Sequence, residues 1–183
     1  TAEIAVVSLG GIISWASLRV AGNKFDQAIM DYIKKKYSIA IGEQTAEAIK
    51  IEIGSALPMK QKLEFQIRGR DLLTGLPKEL AITSEEVRKA MLRSIKSIVL
   101  AVKTTIEETP PELIADLLNR SVFLAGGGSL LRGLDELIGY ETKLPVKVVD
   151  DPLTSVVRGC GLVLEHLDSL KSILVGTAEE AYV

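Results

Sequence analysis

The stretch Phe123-Leu124-Ala125-Gly126-Gly127-Gly128-Ser129-Leu130-Leu131-Arg132-Gly133 changes character twice. Its apolar opening reads as the end of a buried strand, spanning Ser121 to Ala125. Glycines and a serine follow, and from Leu130 to about Ile138 the pattern turns helical. Glycine has no Cβ, so a flat or charged group can lie directly on such a main chain. The first N–H groups of the helix have no internal partner and would face that group. A turn of this composition also occurs where strand and helix only need to pack tightly. The stretch alone leaves both readings open.

The rest of the 183-residue chain narrows the class. Hydrophobic residues make up 47% and charged residues 25%, the balance of a globular protein with a real core. A formal net charge of −2 gives no electrostatic case for nucleic acid. The basic run Lys34-Lys35-Lys36 sits where cations suit a helix C-terminus. Cys160 is the only cysteine, so no intrachain disulfide can form. Its apolar neighbours make it a small core residue and not a nucleophile. His166 is the only histidine, which excludes a two-His metal site and suggests a surface or capping role. No apolar run reaches transmembrane length and no signal peptide is visible, so the expected location is the cytoplasm.

In chain order, Ala2–Leu9 and Ile12–Val20 read as a hairpin turning at Gly10-Gly11. The chain opens inside structure, which suggests that neighbouring strands lie upstream. Asn23 is a candidate N-cap, with Asp26 favouring the same helix start. Phe25, Ala28, Ile29, Tyr32 and Ile33 then keep helical spacing. A second helix runs from about Gln44 to Ile53 and stops at Gly54. On it, Glu47 and Lys50 share a face, and spacing alone favours a solvated ion pair worth about 0.2–0.5 kcal/mol. Lys62–Arg68 alternates as a half-exposed strand, with Lys78–Ile82 as its partner. Thr83-Ser-Glu-Glu86 matches a capping box, and the long helix that it opens ends at Pro110-Pro111. A short helix from Glu112 to Asn119 has Pro111 at its start. Pro145–Val149 is a further strand. Asp151 should cap a final helix with Pro152 in its first turn, packed closely through Gly159 and Gly161. The tail 176–183 has no periodic pattern and should fray. The order is that of an α/β protein with an insertion in its middle.

Four stretches together resemble the C-terminal half of the MreB family of bacterial actin homologues, in the actin–Hsp70–hexokinase superfamily. They are Thr1-Ala-Glu-Ile-Ala-Val-Val-Ser-Leu-Gly10, Ile41–Gly54, Phe123–Leu134 and Asp151–Gly161, in order and at compatible spacing up to about Leu174. The resemblance implies an actin-like ATPase fold. A ribonuclease-H-like core would occupy 1–37 and 95–183, and a small α+β subdomain would be inserted at 38–94. It implies that Gly126, Gly127, Gly128, Ser129 and Leu130 form the adenosine motif, and that Glu47 and Lys50 contact ribose and adenine. That departs from the ion pair that spacing favours. It also implies that Thr1 follows the second phosphate loop and helps position the water that attacks the γ-phosphate. The segment 151–161 would pack at the interdomain hinge.

What the resemblance implies for the intact protein is a cytoskeletal ATPase that uses Mg-ATP and forms membrane-associated filaments guiding cell-wall synthesis. Expected partners are further copies of itself, a membrane-anchored RodZ-like protein and the cell-wall elongation machinery. The expected location is the cytoplasm, at the inner face of the membrane, with no direct insertion by this stretch. The first phosphate loop, its Mg²⁺-linked aspartate, the catalytic glutamate and the second loop match nothing here. This chain alone is therefore expected to be inactive, since phosphoryl transfer needs metal, clamps and an oriented water together. Two alternatives are an inert docking module for the RodZ-like partner and half of a sugar or acetate kinase. No substrate-binding segment favours the latter.

Overall fold

The computed structural model describes residues 1–118 and 120–170, so the 176–183 tail and Asn119 lie outside the described residues. Strands β1 (Ala2–Ser8) and β2 (Gly11–Leu18) form an antiparallel hairpin. The register shifts between Val6 and Val7, which pair with Ser14 and Ile12. Ile13 is thus an extra, bulged residue. Ser8 consequently pairs with Gly11, and the turn falls on Leu9 (φ 50°) and Gly10 (φ 79°) instead of Gly10-Gly11.

Helix α1 (Gly22–Tyr37) follows. Its N-cap is Ala21, with no side-chain cap, so Asn23 lies within the first turn and is not the cap. The helix ends at Ser38, whose left-handed φ of 56° lets its N–H reach the Lys34 carbonyl. The two-residue strand β3 (Ile39–Ala40) was not foreseen. It pairs with the end of β4 (Glu64–Asp71), and β4 pairs antiparallel with β5 (Pro77–Thr83). Helix α2 (Glu43–Ile53) packs against α1 and β4.

The axis of the fold is α3 (Ser84–Glu107). The expected capping box is present. The Thr83 Oγ1 accepts from the Glu86 amide at 3.4 Å, and the Glu86 carboxylate accepts from the Thr83 amide at 3.0 Å. Val87, Met91 and Ile95 lie fully buried at helical spacing, against core residues of α1, α2, β4 and β5. At its other end α3 holds the hairpin by hydroxyl contacts. The Ser14 Oγ donates to the Thr105 carbonyl at 3.0 Å and lies 3.0 Å from the Thr109 Oγ1. Every group in this cluster is buried, so its hydrogen bonds decide whether the hairpin can sit there. Helix α3 also runs unbroken through residues 94 and 95, where the sequence suggested a subdomain boundary.

Helix α4 (Pro111–Leu118), which buries no residue, leads to strand β6 (Val122–Leu124), helix α5 (Leu134–Thr142) and strand β7 (Val146–Val148), with α5 packed on α3. Strands β6 and β7 are parallel neighbours. The last helix, α6 (Ser155–Glu165), departs from expectation. Its N-cap is Thr154, because Asp151 is used inside a turn, accepting from the Thr154 hydroxyl. No residue of α6 is buried, no atom lies within 4 Å of a Cβ built on Gly159 or Gly161, and Cys160 is exposed and not in a core. The glycines therefore serve no close packing among the described residues.

Glu86 accepts not only from Thr83 but also from Lys36 and Tyr37 at the end of α1. Burial opposes its ionisation, yet the hydrogen bonds from Lys36, Tyr37 and Thr83 outweigh that and hold its carboxyl down to about 2. A carboxyl depressed by folding stabilises the fold above its ordinary value near 4.5, and loses that contribution as pH falls toward 2. Urea unfolding midpoints measured between pH 7 and pH 2.5 should therefore drop through this window. Glu86→Gln should flatten that drop and cost about 1–2 kcal/mol at neutral pH.

Candidate functional site

The glycine stretch leaves β6 zipped to the segment after β7. The Val149 amide donates to the Leu124 carbonyl at 3.0 Å, and the Gly126 amide to the Pro152 carbonyl at 2.7 Å. Gly126 takes φ 81° and ψ 163°, a combination that is essentially glycine's alone. Residues Gly127–Leu130 then make one short 3₁₀ turn, where the sequence suggested the start of a helix. Ser129 is buried and closes the turn. Its hydroxyl and amide both donate to the Gly126 carbonyl, at 2.7 and 3.1 Å.

The α-helix begins only at Leu134, because residues 131–133 are used to grip α2. Leu131 is extended, and Arg132 pairs with Ser55 in an isolated parallel bridge. The Arg132 Nη1 donates to the carbonyls of Ile51 (3.0 Å) and Gly54 (3.3 Å), and the Ala56 amide donates to the Arg132 carbonyl at 2.8 Å. Gly133, at φ 72°, turns the chain back into α5. The guanidinium thus satisfies carbonyls at the end of α2, which has no further turn to supply donors. Gly54 must itself be glycine, since a Cβ there would lie 2.3 Å from the Lys50 carbonyl oxygen.

The predicted residues are therefore partly assembled. Gly126 to Leu130 form one exposed turn on which only Ser129 is buried and Gly126 half-buried, and Arg132 ties that turn to the end of α2. Glu47 is exposed on α2. Lys50 does not pair with Glu47. Its ammonium lies 2.9 Å from both carboxylate oxygens of Asp26 on α1. Thr1 is exposed ahead of β1, whose packing is on β2 and α3. Sequence reasoning missed Asp26 and Arg132. Each acts on a segment distant in sequence, and no local pattern points to such a partner. A cavity of about 310 Å³ near Ser55, Met59, Ser84 and Arg88 contains none of the predicted residues. Among the described residues, no group of three or more His, Cys, Asp or Glu could hold a metal, and no helix is long and apolar enough to cross a membrane.

The three neighbouring glycines are not equivalent. Gly126 is required by its backbone angles. A Cβ on Gly127 would press on Leu153 at 3.3 Å. Gly128 has no left-handed φ, and among the described residues nothing beyond its chain neighbours lies within 4 Å of where a Cβ would stand.

The mixed α/β fold is that of an actin-like protein, as solved structures show. The fold matches MreB5 of Spiroplasma citri bound to ADP with a TM-score of 0.85 at 39% identity, over 90% of this chain and 50% of that one. It also matches the MamK double helical filament with a TM-score of 0.64 at 24% identity, a likeness of fold alone. The chain belongs to the MreB/Mbl family, whose profile matches residues 1–172. It is 45% identical over 170 residues to the cell shape-determining protein Mbl of Bacillus subtilis, and 46% identical over 168 residues to the cell shape-determining protein MreB of Escherichia coli. These alignments cover 93% and 92% of this chain but 51% and 48% of the relatives. The chain thus spans about half the length of the curated relatives it matches.

Gly126→Ala should cost about 1–3 kcal/mol in denaturant unfolding, all of it backbone strain, because the space for the methyl group is open. A cost below 0.5 kcal/mol, roughly that of an ordinary surface change, would show that the turn does not hold these angles.

Proposed function

We propose that this chain is the C-terminal half of an actin-like cytoskeletal ATPase and forms the adenosine-binding wall of its nucleotide cleft. The observation that carries the reading is Gly128. Glycine weakens local structure by roughly 0.5–1 kcal/mol relative to alanine, and nothing among the described residues requires it there. Close approach of a ligand to the main chain would supply a reason. Gly126 to Leu130 would meet the base and α-phosphate by their backbone. Glu47 and Lys50, on the helix that Arg132 ties to this turn, would reach the ribose and adenine. Solved structures of MreB5 of Spiroplasma citri, with ADP and with AMPPNP, support a nucleotide as the ligand.

In the whole protein, ATP with Mg²⁺ would lie between this half and a second domain, with Thr1 helping to position the attacking water. Residues 1–37 and 95–183 would form the core subdomain and 38–94 the insertion, with α3 as a shared beam. Head-to-tail contacts between copies do not close, so they build open filaments. Such filaments, held at the inner face of the membrane by a RodZ-like anchor, would guide the cell-wall elongation machinery.

The test is a nucleotide titration by calorimetry on a full-length protein carrying this chain. Gly128→Ala should leave unfolding unchanged or raise stability by up to about 1 kcal/mol, yet weaken nucleotide binding tenfold or more. Glu47→Ala should weaken binding by about 1.5–3 kcal/mol. Unchanged affinity in both variants would remove the adenosine wall from this surface.

A further inference from the structure

Lys50 is the cation among the residues assigned above to the nucleotide, and the structure gives it a partner that the assignment does not include. An exposed lysine carries a flexible four-carbon stem and samples many rotamers. The Lys50 side chain is only 15% exposed, and its ammonium is held across the α1–α2 junction by Asp26, whose side chain is 12% exposed. Nζ lies 2.9 Å from each carboxylate oxygen. Oδ2 accepts a well-directed hydrogen bond, while Oδ1 is buried from solvent and accepts none among the described residues. Among the described residues, Lys50 is thus the only hydrogen-bonding partner of this carboxylate. A buried carboxylate that loses such a partner is left with an uncompensated charge, so the pair resists opening. The ammonium also sits over the first turn of α1. A Cβ added to Gly22 would come within 3.4 Å of it.

We infer that Asp26 is a positioning residue for the nucleotide site. Its carboxylate faces Lys50 with Oδ1 closed off from solvent, and it acts by fixing where the Lys50 ammonium stands and which of its N–H groups remain free to donate. An ammonium held in place loses less freedom on binding a ligand than a mobile one, so affinity should depend on a residue that never contacts the ligand. This inference rests on the nucleotide reading above and adds α1 to the parts that set affinity.

The experiment is a double-mutant cycle read by titration of a fluorescent ADP analogue. The variants are Asp26→Asn, Lys50→Met and the pair together, each in a full-length protein carrying this chain and each with its melting temperature measured. Asp26→Asn and Lys50→Met should each weaken binding about tenfold, and the double variant should bind no more weakly than Lys50→Met alone. If Lys50→Met weakens binding and Asp26→Asn does not, the positioning role is overturned while the nucleotide reading stands. Unchanged binding by Lys50→Met would overturn the Lys50 assignment, and this inference with it. Additive losses in the double variant would show that Asp26 acts by a route other than Lys50, which also overturns the inference. Should Asp26→Asn not fold, Asp26→Glu keeps the charge but moves the carboxylate by one methylene. A positioning role then predicts weaker binding at an unchanged melting temperature, and unchanged binding overturns it.

Discussion

The start of α3 depends on one carboxylate. Glu86 accepts the Thr83 amide and hydroxyl, which fixes where β5 ends and the helix begins. The same group accepts Lys36 and Tyr37, which fixes the last turn of α1 against it. Three chain segments converge on this point, and the helix they launch cannot slide. Met91, Ile95, Val99 and Val102 consequently face the core in one register. At the far end the same register presents Thr105 and Thr109 to Ser14, so the β1–β2 hairpin takes its position from a helix that starts beside a different sheet. The hydroxyl contacts add little net stability individually, but an unmatched hydroxyl in that buried place would cost more than the bond contributes. The constraint is therefore one of register as much as energy.

From α3 the order passes to the glycine turn through α5, which packs on it. Between α5 and the turn stands Arg132. The two N–H groups of its Nη1 serve the carbonyls of Ile51 and Gly54. The turn is thus fastened on two sides, to the segment after β7 by the Gly126 amide and to α2 by Arg132. Gly127, Gly128 and Leu130 on it are exposed among the described residues.

Much of this was legible in the sequence where the physics is local. The α3 periodicity, its capping box and the alternation of β4 all depend on neighbours within a few residues, and each has the expected form. What was misread depended on distant chain. The hairpin turn moved because a bulge at Ile13 altered the count between strands. The helix after the glycines started late because Leu131 to Gly133 were taken by α2. Asn23 and Asp151 have good cap chemistry, but the first falls inside a helix and the second inside a turn. Cys160 has apolar neighbours in sequence, yet on α6 no described element packs against them. Lys50 shows the same limit at the site. Spacing on α2 offered Glu47 as its partner, whereas the fold supplies Asp26 from another helix.

The glycine turn shows best what sequence and structure each contribute. In the sequence the three glycines are identical, and together they only say that the main chain is exposed to something. The structure separates them. Gly126 answers to the backbone, and a Cβ on Gly127 would ask the exposed Leu153 side chain to shift slightly. Of the three, only Gly128 shows neither cause among the described residues. Local propensity given up without a structural return is the kind of departure that functional sites show. Lys50 is the complementary case, a residue assigned to a ligand whose observed contact is wholly internal. At Gly128 the fold leaves a space, and at Lys50 it holds a charge in place. The two positions lie on separate segments, which Arg132 joins.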